Sequence, residues 1–283
     1  MSDLLNKLKG VPGWLEKFHN DGLKTGVLKL GEVTGWRKRP DGKYGPANFE
    51  RALVLDRLVN IMKPSTALEV GTGRGLGCLT MSRSAAEYGI DLKIATLDIL
   101  SPDARQDWPI RVDGEDKVII ANRREVWSSR VDPSLQERVE QITGRTTELL
   151  PKLVEEGRRF DLIFIDAGHD AFSVVFDISC AMRLLNDGGA ILLDDFAPLE
   201  EYGIGACMAA QHLKDWFTLV EIFKTDGLVY HYEDGQPAFS RGMVLVSGLK
   251  KRPPEKASLW RALWWRMVSW ALYKSARPGK FPI

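Results

Sequence analysis

Apolar positions change their period along this chain. Over residues 49–62, Phe49, Leu53, Leu55, Leu58, Val59 and Met62 recur at helical spacing between Pro46 and Pro64, which predicts one amphipathic helix. Beyond it, short runs of β-branched and large apolar residues alternate with helical stretches. The runs are 67–70, 93–97, 139–142, 161–165 and 190–193, and their alternation predicts a mostly parallel sheet with helices on both faces. Two later runs, 217–223 and 243–246, joined through Tyr232-Glu233-Asp234-Gly235, predict an antiparallel pair at the sheet edge. The expected fold class is α/β, a doubly wound, mostly parallel, seven-stranded sheet with that antiparallel edge pair.

This pattern divides the chain. Residues 1–47, rich in Gly, Lys and Trp, read as an N-terminal cover with a short helix near 4–8 and a turn at Arg39-Pro40-Asp41-Gly42. Residues 48–248 form the main domain, and 249–283 a tail. The connection 99–138 is longer than a crossover needs. It reads either as a helix over 116–131 preceded by surface coil or as a functional lid.

Composition narrows the class. With 44% hydrophobic residues, 283 residues suffice for one buried core, and a formal net charge of +1 gives no reason to expect a nucleic-acid partner. Cys78, Cys180 and Cys207 have no ligand spacing and read as reduced core residues. No signal-type apolar segment opens the chain, and no run of about eighteen uncharged apolar residues follows, so a cytoplasmic location is expected.

The strongest chemical signal is Leu68-Glu69-Val70-Gly71-Thr72-Gly73-Arg74-Gly75-Leu76-Gly77, a buried strand entering alternating glycines and then a helix. Glycines let the backbone turn sharply and approach a ligand, and the helix N-terminus offers unpaired N–H donors. The dinucleotide fingerprint GxGxxG fails in both frames, with Leu76 or Cys78 where its third glycine belongs. The form E-x-G-x-G-x-G instead resembles the first motif of class I methyltransferases, whose fold is Rossmann-like and whose cofactor is S-adenosylmethionine. The resemblance implies that Glu69, Gly71, Thr72, Gly73 and Gly75 form the cofactor loop. Asp98, ending the next strand, is placed to accept from both ribose hydroxyls; a surface acid ending a strand is the plain alternative.

Two further strands end in carboxylates, Phe160 to Asp166 and Gly189 to Asp195. In an open α/β sheet these strand ends face the ligand crevice, so Asp166, Asp194 and Asp195 are expected to converge beside the cofactor, as a donor set suited to Mg²⁺. Both stretches resemble those of metal-dependent O-methyltransferases: the catechol and caffeoyl types and the antibiotic sugar O-methyltransferases. The resemblance implies Asp166 and Asp194 as metal ligands, Asp166 also touching the cofactor, with Asp195 where catechol-type members carry Asn. It puts His169 where they carry a catalytic Lys. Asp166-x-x-His169 resembles the sugar-modifying branch, in which His is the base. An isolated His at a helix entrance is more often structural, and one of the paired aspartates could serve only nearby N–H groups. Asp170 is expected to cap the following helix. Thr146 and Thr147, after Gly144, resemble adenine-contacting positions of catechol-type enzymes; alternatively one of them caps the helix there. His19, His212 and His231 read as ordinary polar residues.

The tail from Lys250 onward carries nine basic residues and one acid, Glu255, with four of the nine tryptophans. On a helix, Trp260, Leu263, Trp264, Met267, Val268, Trp270 and Ala271 share one face. That face suits either peripheral contact with an inner membrane surface or packing on the domain or a second subunit in a homo-oligomer. The expected activity is divalent-metal-assisted methylation of a hydroxyl on a small sugar-like or catechol-like diol. A metal-independent methyltransferase, a hydroxylase-like or nucleotide-binding oxidoreductase on the same fold, and a catalytically idle module are the competing readings.

Overall fold

The computed structural model describes residues 26–38, 44–46, 50–197, 203–224 and 242–253. The expected helix near 4–8, the turn at 39–42, the connection at 232–235 and the tail's aromatic face lie outside the described residues. The chain divides into two compact units, whose described parts are residues 26–144 in one and 145–224 with 242–253 in the other.

The first unit begins with helix α1 (Val27–Thr34) and the short antiparallel pair β1 (Trp36–Lys38) and β2 (Tyr44–Pro46). Helix α2 (Glu50–Met62) buries Leu53, Leu55, Leu58 and Val59 of the predicted spacing, and Ala52, Val54 and Asp56 besides, while Met62 is only partly buried. Strand β3 (Thr66–Val70) leads through the glycine run into helix α3 (Leu76–Glu87), followed by strand β4 (Lys93–Asp98). The two strands pair in parallel with Val70 opposite Leu97. Thr72 N–H donates to the Leu97 carbonyl at 3.0 Å, which brings the glycine run alongside the end of β4.

Residues 106–121 depart from the helical reading of the long connection. They fold as a hairpin of β5 (Gln106–Val112) and β6 (Glu115–Ala121), so no helix begins at 116, and the irregular chain before the hairpin is confined to 99–105. The reason is local: Asp113 and Gly114 both have positive φ, 54° and 80°, as a two-residue type I′ turn demands. Trp108, Ile110 and Ala121 then bury one face of the hairpin with Val126. Only Arg123–Arg130 is helical, as α4, and its start is fixed by a capping box between Asn122 and Glu125. The single turn α5 (Pro133–Gln136) precedes β7 (Val139–Thr143), which pairs in parallel with β4.

In the second unit, helix α6 (Thr146–Glu155), strand β8 (Phe160–Ile165) and helix α7 (Ala171–Leu184) lead into the long strand β9 (Leu185–Phe196). Strands β8 and β9 are parallel, with Ile165 opposite Leu193, so Asp166, just after β8, and Asp194, the next residue of β9, emerge side by side. Helix α8 (Ile204–Trp216) then gives way to β10 (Phe217–Lys224) and β11 (Gly242–Leu249). Both of their pairings are antiparallel, β10 on β11 and β11 on β9. The sheet has seven strands in the order β10-β11-β9-β8-β3-β4-β7, mostly parallel with the expected antiparallel edge. Cys78, Cys180 and Cys207 are free and buried. No helix among the described residues is long and apolar enough to cross a membrane.

Candidate active site

In the first unit the glycine run takes the backbone its composition foretold. Gly71, Gly73 and Gly75 have φ of 100°, 52° and 98°, values that L side chains rarely adopt. Gly75 is the N-cap of α3 and supplies no side chain to the helix's first N–H groups. Glu69 supplies one from outside the helix: its Oε1 accepts from Cys78 N–H at 3.0 Å. Its Oε2 accepts from Thr96 Oγ1 at 2.6 Å, and the Thr96 and Thr72 hydroxyls are themselves 2.6 Å apart. Both carboxylate oxygens of Glu69 are thus engaged inside the protein, where they brace the loop. Burial pushes its pKa up to about 7, against the opposing pull of Thr96 and Cys78.

Asp98 sits beside this loop and is fastened to it, its Oδ2 accepting from Gly73 N–H at 2.8 Å and its Oδ1 from Leu100 N–H at 2.9 Å. Two residues of α4 complete the arrangement, and sequence reasoning missed both. Arg123 pairs with Asp98 Oδ2 at 2.6 Å and donates through Nε to the Gly73 carbonyl at 3.0 Å. Trp127 Nε1 donates to the Arg74 carbonyl at 3.0 Å. Their contacts span 25 to 53 positions of sequence. The readable signal was Asp113-Gly114, since a hairpin there returns the chain to the glycine loop.

Thr146 and Thr147 open α6 in the second unit, yet neither caps it, because the N-cap position belongs to Arg145. Thr146 is half-buried with its hydroxyl toward Asp177, and Thr147 is exposed. Asp177 on α7 is fully buried, and neither of its oxygens makes a hydrogen bond of ordinary geometry. Burial raises its pKa to about 7, a rise that the Thr146 hydroxyl opposes.

The acidic residues of the second unit do come together. One oxygen from each of Asp166, Asp194 and Asp195 lies within 4.8 Å of the others. Neighbours in a regular strand point to opposite faces, so Asp194 and Asp195 need a break in the pleat to share one site. Strand β9 provides it: against β11, the pairing steps from Gly242 with Phe196 to Val244 with Leu193, leaving one extra residue in β9. Asp195 occupies this bulge with φ 58°, a left-handed conformation that Asp tolerates better than most side chains.

His169 Nδ1 lies 2.9 Å from Asp195 Oδ2, with the imidazole about half exposed and Asp195 buried. The hydrogen bond to Asp195 raises the pKa of His169, burial works against it, and the charges of Asp195, Asp166 and Asp194 add to the rise. Asp170 caps α7 as expected, accepting from the N–H groups of Phe172 and Ser173 at 3.0 Å each. A small pocket lined by Asp166, His169, Val174, Asp194, Asp195 and Ala206 opens at this cluster.

Residues 68–196, the stretch from the glycine run through Asp195, match the family model of a methyltransferase domain. The cofactor-bound protein Rv0187 from MTB superposes with a TM-score of 0.54 at 19% identity, covering 84% of this chain and 97% of that one. The O-methyltransferase TomG from Streptomyces achromogenes, involved in tomaymycin synthesis and solved in complex with SAM, gives 0.50 at 16% identity, covering 82% and 89%. At such identities the likeness speaks for the fold. Residues 68–196 thus carry a methyltransferase domain, on a Rossmann-like fold shared with these structures.

Proposed function

We propose that the protein is a divalent-cation-assisted O-methyltransferase acting on a small molecule with vicinal oxygens, a sugar-like or catechol-like diol. One observation carries this reading: three carboxylates approach within 4.8 Å of one another, two of them buried, with His169 hydrogen-bonded to one. Like charges this close disfavour joint ionisation unless a cation or protons offset them. The donors are hard oxygens, the type Mg²⁺ takes, and they leave room in its octahedral shell for water or substrate.

Methyl transfer to oxygen requires an alcohol that has lost, or is losing, its proton. A divalent cation chelated by the acceptor would lower that hydroxyl's pKa and orient it. Asp166 and Asp194 are the first candidates to hold such an ion. Asp195 has one oxygen committed to His169 Nδ1 and contributes with the other. That commitment also orients the imidazole, leaving Nε2 as the nitrogen to receive the acceptor's proton. In the first unit, the side-chain-free backbone of the glycine run would border the methionine portion of the methyl donor, and the carboxylate of Asp98 would accept from its ribose.

Two measurements test the proposal. Titration of the purified protein with Mn²⁺, read by electron paramagnetic resonance, should show one site that is lost in Asp166→Asn. Methyl transfer from S-adenosylmethionine to a panel of catechols and sugar diols should stop in excess chelator and return with Mg²⁺. Full turnover in chelator would instead favour metal-independent transfer, and tight NAD(P)H binding without S-adenosylmethionine binding would favour an oxidoreductase.

A further inference from the structure

Among the described residues, Asp98 is held by three donors, of which the Arg123 guanidinium carries the charge. Leu100 N–H and Gly73 N–H are local backbone groups, whereas the Arg123 guanidinium comes from a helix 25 positions away. The Arg123 side chain is 2% exposed, so its charge is nearly cut off from water and depends on its partners. Those partners are Asp98 Oδ2 at 2.6 Å, the Gly73 carbonyl at 3.0 Å and Gln141 Oε1 at 3.2 Å, each met by a different nitrogen. A planar fork serves three acceptors in fixed directions; a lysine ammonium, a point charge on a flexible stem, cannot reproduce that geometry.

The mount behind the fork is rigid. Arg123 is the first residue of α4 and lies inside the capping box that Asn122 and Glu125 form. One turn further on, Trp127 fastens the same helix to the Arg74 carbonyl. The fork therefore ties together the carboxylate that would meet the ribose and the backbone of the loop that would meet the methionine portion. A site held this way loses less entropy on binding than one whose parts move independently.

We propose that Arg123 is a positioning residue for the cofactor's ribose, acting through Asp98 rather than on the cofactor itself. The proposal rests on the reading that Asp98 receives the ribose hydroxyls. Loss of a charge-assisted orienting hydrogen bond corresponds to about tenfold or more in affinity.

The test is a double-mutant cycle read by calorimetry with S-adenosylhomocysteine, thermal melting confirming that each variant is folded. Arg123→Met should weaken binding about tenfold or more, Arg123→Lys should recover part of the loss, and Asp98→Ala should weaken binding by itself. On the Asp98→Ala background, Arg123→Met should add less than about twofold, because its effect passes through the missing carboxylate. Should Arg123→Met not fold, the same cycle is run with Arg123→Lys. Equal losses on both backgrounds would mean a general loosening of the loop and would overturn the proposal, as would wild-type affinity in both Arg123 variants. An Asp98→Ala protein that binds normally would bring down the ribose reading itself, a separate failure seen before Arg123 is touched.

Discussion

Trp127 lies directly over Gly75: a Cβ placed on that glycine would fall 2.2 Å from the indole Cζ2 and 2.8 Å from Cε2. The same residue holds φ at 98°, so an added side chain would meet both a clash and a strained backbone. Gly75→Ala is therefore expected to destabilise the protein by roughly 1–3 kcal/mol and to weaken cofactor binding as well. Chemical denaturation and calorimetry measure the two effects. A variant with native stability and affinity would show that the indole moves aside at no cost.

Asp98→Ala should weaken binding of S-adenosylhomocysteine by about 10- to 100-fold, the loss expected when a charged acceptor is taken from two hydroxyl donors. The fold should survive, since the sheet's backbone pairing at β4 does not involve this side chain. Unchanged affinity would reduce Asp98 to a brace for Gly73 and Arg123.

Removing the cation should separate binding from turnover. Asp166→Asn and Asp194→Asn are each expected to abolish divalent-ion-dependent methyl transfer while leaving S-adenosylhomocysteine affinity within about threefold, because cofactor affinity is a separate quantity from acceptor activation. Activity that survives either change without added metal would leave the acidic cluster without a catalytic role.

His169→Ala should lower kcat by about 10² to 10⁴, the usual contribution of a general base. Asp195→Asn should cost activity too, since it replaces the acceptor that orients Nδ1 at 2.9 Å. A folded His169→Ala protein with normal kcat would move the proton acceptor elsewhere.

Asp177 makes stability depend on pH with a definite sign. Burial holds its carboxyl at a pKa of about 7 in the folded protein against an ordinary value of 3.8, so between those values the folded state binds more protons than the unfolded state. Its contribution is complete at low pH and is lost as pH rises toward 7. Asp177→Asn, which carries no charge, should therefore be the more stable protein at pH 8 and lose its advantage near pH 4. The gap at pH 8 should be on the order of a few kcal/mol. Melting curves of both proteins across this range decide it; parallel curves would mean that water or a partner reaches the buried carboxyl.

Much of the architecture was legible because burial in a sheet is written locally. The runs that became β3, β4, β8 and β9 carry their apolar residues within a few positions and end near glycine or acid. The glycine run and Asp98 follow the same logic, since a chain that turns sharply at a strand end must place glycine within the next few residues. Asp166 and Asp194 were likewise visible as the first carboxylates after two hydrophobic strands.

Sequence by itself determined which residues end the strands, and with them the composition of both candidate sites. Tertiary structure alone decided how those residues are aimed. The convergence of Asp194 and Asp195 depends on a bulge set by the register of β9 against β11, which lies some fifty residues further along the chain. The fork of Arg123 reaches Asp98 and Gly73 only because the Asp113-Gly114 hairpin turns the chain back. Such contacts join groups distant in sequence, and their energies depend on angles and burial that no local pattern records. Residue type says what a side chain is able to bond; the packing of the chain selects the partner.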